Sequence, residues 1–211
     1  MNIDNDFYQF GDLKVLVKEF YVRDNNIKGI YDDFKAKHKN INIVILNSNI
    51  VFGLEHILSI IKIINEKINR KGKREIKNLD IEFLLRICYT DQIDNAFQKL
   101  NDDDDEYKNN NDDIFICILF SKNLLDVENA LKDLKEYVQQ RNALKEKRSK
   151  IKLQDITIKT NSLIEMSDKK KQYILKLFFQ KELKDINELF FIKDNSKFQK
   201  FLVERSAIAL K

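Results

Sequence analysis

The residues best suited to covalent or metal chemistry in this sequence are two cysteines and two histidines. They are Cys88, Cys117, His38 and His56. A Cys–His pair could supply a nucleophile and its base, but Cys117 lies inside the apolar run IFICILF and Cys88 ends an apolar helical segment. Both are therefore predicted to be buried thiols that pack as small hydrophobic side chains. Because none of the four residues is close to another in sequence, no zinc site and no other cofactor is predicted.

The sequence contains few other motifs that could support catalysis or phosphate binding. The chain has four glycines and no G-x-G-x-x-G pattern, so a glycine-rich loop that cradles a phosphate is not expected. His56 follows Gly53 in the first turn of a predicted helix, where a neutral, packed ring is the default interpretation. These residues alone favour a non-catalytic binding subunit over an enzyme.

Apolar patterns along the chain predict the elements that position these residues. Strands are predicted at residues 14–21, 41–46, 114–120 and 156–159. The run at 114–120 is apolar throughout, which is typical of a central strand covered on both faces. Helices are predicted at residues 25–37, 54–69, 79–88, 91–100, 122–140, 168–183 and 196–210. The predicted fold is a mixed α/β (α+β) single domain with a sheet of about four strands covered by helices.

Two of the predicted helices have apolar faces that bear on function. In the helix that ends near residue 100, Ile93, Ala96, Phe97 and Leu100 have the i, i+3, i+4, i+7 spacing of a core face. The isoleucine stripe of helix 54–69, which includes Ile68, is wide enough to cover the core on two sides or to reach a partner as well.

Length and composition are those of one folded domain with a strongly charged exterior. The 211 residues are 43% hydrophobic and 34% charged, with a net charge of +4. That charge is too small to indicate a nucleic-acid partner by itself, but it is unevenly distributed. Residues 101–113 (NDDDDEYKNNNDD) form an acidic, low-complexity insert, and residues 141–152 (RNALKEKRSKIK) form a basic one. No membrane-spanning run and no signal peptide are seen, so a cytoplasmic protein is expected.

Three segments resemble a known family. They are ILNSNIVFGLEHILSIIKI (residues 45–63), EFLLRICYTDQIDNAFQKL (82–100) and ERSAIAL (204–210). In their order and separation they resemble the PRPK-binding protein (TPRKB/CGI) family, an accessory subunit of the KEOPS complex, which is also called EKC. The resemblance covers about residues 40–210. It departs from the family at Cys88, where serine is usual, and at the acidic insert, which replaces a Phe-Gly pair.

The resemblance implies a specific function. The complex makes threonylcarbamoyladenosine in tRNA, next to the anticodon. The resembled subunit is not an enzyme. It binds and stimulates the kinase-like ATPase subunit, and it helps to recruit tRNA, including the 3′ end. Through that partner it is linked indirectly to the threonylcarbamoyl-transferase subunit. The expected location is the cytoplasm, and also the nucleus in a eukaryote.

Two sets of residues are predicted to carry these contacts. The kinase-subunit interface is placed on the C-terminal helix at Leu202, Ile208 and Leu210, although Leu202 and Ile208 could equally belong to the core. The tRNA contacts are placed at Arg86, Lys62, Lys99 and Gln92, with the three cations facing phosphates. Each of these cations could instead be an ordinary solvated side chain.

Two other functions remain open from the sequence. A stand-alone RNA-binding domain predicts strongly salt-dependent RNA binding without a protein partner and a basic groove lined by aromatic side chains. A small enzyme with an unrecognised site predicts a polar, concave pocket with perturbed titratable groups. An exposed apolar helix face would favour the accessory subunit.

Overall fold

The computed structural model describes residues 7–21, 27–70, 78–100, 114–146, 166–180 and 193–209. The chain is a mixed α+β protein, which confirms the predicted fold class. It divides into two compact units, each built from two separate stretches of sequence. The sheet unit contains residues 1–46 and 110–162, and the helical unit contains residues 47–109 and 163–211.

The sheet unit is built on four strands in the order β1-β2-β4-β3. The strands are β1 (Phe7–Phe10), β2 (Leu13–Tyr21), β3 (Asn42–Asn47) and β4 (Ile114–Ser121). β2 pairs antiparallel with both β1 and β4. β1 and β2 form a hairpin whose two-residue loop starts at Gly11, with a φ of 58° that glycine adopts without strain.

Helices α1 (Ile27–Lys37) and α5 (Leu124–Glu146) supply the apolar side chains that cover the sheet. The core that they share with the strands is made mostly of aliphatic and aromatic residues. From the helices it contains Ile30, Phe34, Val127, Ala130, Leu134 and Val138, and from the strands Leu16, Phe20, Ile43, Ile45, Phe115, Cys117 and Leu119. Burial of this apolar surface is the main favourable contribution to the stability of the unit.

The helical unit contains five α-helices among its described residues. They are α2 (Leu54–Asn69), α3 (Leu79–Ile87), α4 (Ile93–Leu100), α6 (Asp168–Phe179) and α7 (Asn195–Ile208), and a short 3-10 helix (Ser48–Ile50) precedes them. α2 packs against α3 and α7. In the hydrophobic core of the helical unit, Phe52 packs with Ile174, Leu175, Phe179, Phe198 and Leu202. The side chains of Ser167 and Asp194 cap the first turns of α6 and α7.

Most of the predicted elements are confirmed within a few residues. β4 lies between β2 and β3, as its continuous apolar sequence predicts. β1 is an additional strand, for which the sequence patterns give no prediction. The predicted strand at 156–159 and the acidic insert at 101–113 lie outside the described residues. So do residues 147–152 of the basic insert, whereas 141–146 end α5.

The predicted core face of α4 is wrong. Ile93 and Phe97 are each 46% exposed, and Ala96 is the buried residue of the four. α4 contacts α3 on the side that carries Ala96. There the Cys88 thiol lies 3.8 Å from the Ala96 carbonyl oxygen. The spacing therefore identified an apolar face correctly, but it could not show which part of that face meets α3.

Candidate functional site

Arg86 on α3 is a buried, multiply bonded charged side chain of the helical unit and is 2% exposed. Its Nη1 donates to the carbonyl oxygens of Ser206 at 2.8 Å and Ala207 at 3.4 Å. These carbonyls lie in the last turn of α7, where the helix itself provides no donors. Arg86 therefore acts as a side-chain cap that fastens the C-terminal end of α7 to α3.

Arg86 is held in turn by Glu82, one helical turn earlier on α3. Its Nε and Nη2 both donate to Glu82 Oε1, at 3.0 and 2.8 Å. The same oxygen accepts from Lys67 Nζ of α2 at 2.9 Å. Lys67, Glu82 and Arg86 are called the ion network below. It connects three helices of the unit through one carboxylate oxygen and two helix-terminal carbonyls.

The predicted tRNA phosphate contact of Arg86 requires an exposed side chain. Arg86 is buried, so this requirement is not met. The guanidinium group instead binds carbonyl oxygens at the end of α7. The i, i+4 spacing of Glu82 and Arg86 is the sequence signal that could have indicated their pairing. No local signal connects them to α7, because Ser206 is 120 residues away.

The residues predicted for the kinase-subunit interface have different environments. Leu202 is fully buried against Phe52 and Phe198, so it belongs to the core and is not an interface residue. Ile208 is 48% exposed at the end of α7, next to the carbonyl that Arg86 holds. Leu210 lies outside the described residues. Arg86 from the predicted tRNA set thus binds Ala207, the residue before Ile208 of the predicted kinase-subunit set.

A second exposed isoleucine lies at the other end of the ion network. Ile68 follows Lys67 on α2 and is 42% exposed, although its spacing placed it in the core stripe of that helix. The stripe is buried at Ile57, Ile60, Ile61 and Ile64, and it emerges into solvent in the last turn of α2. An exposed isoleucine therefore follows Lys67 in the sequence, as Ile208 follows Ala207.

The other predicted tRNA contacts are spread over two helices. Lys62 is exposed on α2. Lys99 is half-buried on α4, where its Nζ donates to the Cys88 carbonyl at 3.1 Å and lies 5.4 Å from the centre of the Phe178 ring. Its burial lowers the pKa of Lys99 from the ordinary value. Gln92 is exposed before α4, and its Oε1 accepts from Asn95 Nδ2 at 2.8 Å.

A buried polar chain starts at His56, in the first turn of α2. The ring is fully buried, and its Nδ1 accepts from the backbone N–H of Phe52 at 3.4 Å. Nδ1 therefore carries no proton, so the neutral ring is protonated at Nε2, which lies 3.1 Å from the Tyr89 hydroxyl oxygen. Ser206 interacts with Tyr89, and its hydroxyl donates to the Leu202 carbonyl at 2.9 Å. This chain joins the start of α2 to the last turns of α7.

The backbone and the titration of these groups reflect their burial. Tyr89 has a φ of 52°, an unusual value for a non-glycine residue, in the turn between α3 and α4. Burial, and secondarily the charge of Lys170, lowers the pKa of His56 to about 3. Burial raises the pKa of Cys88 to about 12 and that of Cys117 higher still. The predictions of a packed neutral His56 and of two buried thiols are confirmed.

No protein-family model matches the sequence, and no curated protein is significantly similar to it. Within the described ranges, none of the helices combines the length and the apolar character that a membrane crossing requires. In the same part of the chain, no three His, Cys, Asp or Glu side chains are grouped so that they could hold a metal ion.

Replacing Arg86 by methionine should lower the free energy of unfolding by about 3 kcal/mol, because it leaves Glu82 as a poorly compensated charge and the end of α7 without donors. Urea denaturation at neutral pH measures this loss. Lys62→Met on the exposed side of α2 is the control and should change stability by less than about 0.5 kcal/mol. Equal stabilities of the two variants would contradict the structural role of Arg86.

His56 should make the protein less stable as the pH falls. Its folded pKa of about 3 lies below the ordinary value of 6.5, so the unfolded chain binds a proton first and the stability present above pH 6.5 is lost towards pH 3. At pH 5 the loss should be about 2 kcal/mol relative to pH 7.5.

The matched variant is His56→Gln, which cannot titrate. Urea denaturation at pH 7.5 and pH 5 should show the extra loss in the wild type alone, since the remaining acidic groups contribute equally to both proteins. A pH dependence as steep in His56→Gln as in the wild type would rule out the buried histidine as its source.

Proposed function

We propose that this protein is a non-catalytic accessory subunit of the KEOPS (EKC) complex. In this role it binds and stimulates the kinase-like ATPase subunit through the end of α7, and it helps to recruit tRNA for threonylcarbamoyladenosine formation. Exposed Ile208, at a helix end that Arg86 holds in place, carries the proposal. The three segments that resemble the family all include elements of the helical unit, namely α2, α3 with α4, and the end of α7.

The end of α7 has the physical properties of a protein-binding site. An aliphatic side chain that is half-exposed on a helix gains free energy when a partner removes it from water. Arg86 already fixes the carbonyls of Ser206 and Ala207. The end of α7 therefore loses little conformational entropy when a partner binds. A preorganised apolar anchor of this kind is typical of the residues that dominate interfaces.

Lys62 and Lys99 are the proposed cationic tRNA contacts, and Arg86 is not among them because its side chain is buried. Lys62 is exposed, as a phosphate contact requires. Lys99 is already engaged with the Cys88 carbonyl and the Phe178 ring, so its contact with a phosphate would require it to leave or share these partners. Gln92 remains a candidate for a base edge.

A stand-alone RNA-binding domain is the second candidate, and one feature favours it. Two half-buried aromatic rings, Phe178 and Phe201, lie beneath cations of the same unit. Lys99 Nζ is 5.4 Å from the first ring, and Arg205 Cζ is 5.5 Å from the second. Aromatic and cationic side chains in such proximity are used to stack bases and to hold a backbone. RNA binding without a protein partner, weakened steeply by salt, would support this alternative.

The accessory-subunit proposal predicts that Ile208→Glu weakens binding of the kinase-like subunit from the same organism at least about tenfold, since the substitution places a charge in an apolar contact. Leu125→Glu is the matched control, because Leu125 is 59% exposed but lies on α5 of the sheet unit. Titration calorimetry measures both affinities, and circular dichroism checks that both variants are folded.

Three results distinguish the possibilities. Loss of binding in Ile208→Glu alone supports the proposed function and its location. Equal binding by Ile208→Glu and Leu125→Glu keeps the function but moves the interface away from α7. Absence of a complex with the wild-type chain contradicts the proposed function.

A further inference from the structure

Helix α4 exposes an apolar face to solvent. Ile93 and Phe97 are each 46% exposed, and Leu100 is half-buried. Because each residue of an α-helix advances by about 100°, these three side chains lie within about 60° of one another around the helix axis. They are three of the eight residues of α4 and are called the α4 face below. Apolar side chains that are grouped on a surface, unlike isolated ones, are typical of interaction sites.

The contacts of α4 with the rest of the helical unit keep this face outward. Ala96 is 2% exposed, and its carbonyl oxygen lies 3.8 Å from the Cys88 thiol. Lys99, which lies roughly opposite Phe97 around the helix, donates to the Cys88 carbonyl at 3.1 Å and lies 5.4 Å from the centre of the Phe178 ring. A rotation of α4 that buried Phe97 would break these contacts, so the α4 face is presented to solvent in a defined orientation.

The charged groups next to the α4 face are acidic. Asp91 precedes the helix and Asp94 lies in its first turn, and both are exposed. Residues 101–113 follow α4 directly in the sequence and contain seven acidic residues and one lysine, a net charge of −6. Since a chain spans at most about 3.6 Å per residue, even Asp105 is tethered within about 18 Å of Leu100. The α4 face therefore lies in a region of negative potential.

This potential discriminates between the possible occupants of the α4 face. A second copy of the chain would bring two acidic segments together, and a nucleic acid or an anionic membrane would meet the same repulsion. A protein segment with Lys or Arg beside its apolar side chains would instead be attracted, and it would remove Ile93 and Phe97 from water.

We propose that the α4 face is a docking site for a basic amphipathic segment of another protein. The apolar side chains of that segment cover Ile93, Phe97 and Leu100, and its Lys or Arg side chains pair with the acidic residues beside them. Phe97 is the anchor, because it is the largest exposed apolar side chain of the face. This inference is independent of the proposed KEOPS role, which depends on Ile208 of α7.

The test uses two synthetic helical peptides of about 14 residues. The lysine peptide has leucines on one face and lysines on the other, and the glutamate peptide has glutamate in place of each lysine. Fluorescence anisotropy measures the binding of each labelled peptide to the 211-residue chain. At about 0.05 M salt the lysine peptide should bind at least about tenfold more tightly than the glutamate peptide, and about 0.5 M salt should reduce this difference.

Substitutions in the chain locate the binding. Phe97→Ser should weaken binding of the lysine peptide at least about tenfold, since it removes the apolar anchor. Leu125→Ser is the matched control, because Leu125 is 59% exposed on α5, and it should bind like the wild type. Replacing the four aspartates at positions 102–105 by asparagine should reduce the preference for the lysine peptide. Urea denaturation checks the stability of each variant, and Ile93→Ser takes the place of Phe97→Ser if the latter is destabilised.

Several results would overturn the proposal without bearing on the KEOPS role. They are wild-type affinity for the lysine peptide in Phe97→Ser, an equal loss of affinity in Leu125→Ser, equal affinity of the wild type for both peptides, and binding of neither. A wild-type dimer in sedimentation equilibrium that Phe97→Ser abolishes would make a second copy the occupant, and the proposal would fail. It would fail likewise if an RNA oligonucleotide bound more tightly than the lysine peptide and lost its binding in Phe97→Ser.

Discussion

A guanidinium group has five N–H donors and a charge that cannot be removed near neutral pH, so its burial must be compensated at several points. Arg86 meets this requirement with one carboxylate from its own helix and two carbonyl oxygens from the end of α7. Since Glu82 also accepts from Lys67, the same carboxylate draws α2 into the arrangement. Three helices of the helical unit are therefore joined through a single buried cation, whose loss would leave Glu82 paired with Lys67 alone and the end of α7 without side-chain donors.

Ser206 is the residue at which this network meets the buried polar chain of the same unit. Its carbonyl accepts from Arg86, while its side chain interacts with Tyr89 and donates to the Leu202 carbonyl. Through Tyr89 and His56 the second chain reaches the start of α2. α7 is consequently fixed by polar contacts on two sides, in addition to the apolar contacts of Phe198 and Leu202. Such doubly anchored helix ends suit a surface that must be ready before its partner arrives.

The sequence predicted the elements more completely than it predicted their partners. Runs such as IFICILF and the isoleucine stripe of α2 contain enough periodic information to define type and approximate length, and the strand and helices they indicated are present. Burial depends on which neighbour covers a face, and this cannot be read locally. Phe97 and Ile93 have ideal core spacing yet are exposed, because α4 meets α3 through Ala96. Arg86 was expected at the surface for the complementary reason, since the helix that covers it begins more than one hundred residues later.

The proposed function places a partner on the helix end that Arg86 holds, so the decisive question is whether Arg86 orders that end. Native-state hydrogen exchange answers it directly, by comparing the wild type with Arg86→Lys, which keeps the charge but cannot reach Glu82 and both carbonyls at once. The amides of residues 203–208 in α7 should exchange at least about tenfold faster in the variant, while those of α5 keep their wild-type rates. Unchanged exchange at the end of α7 would contradict it.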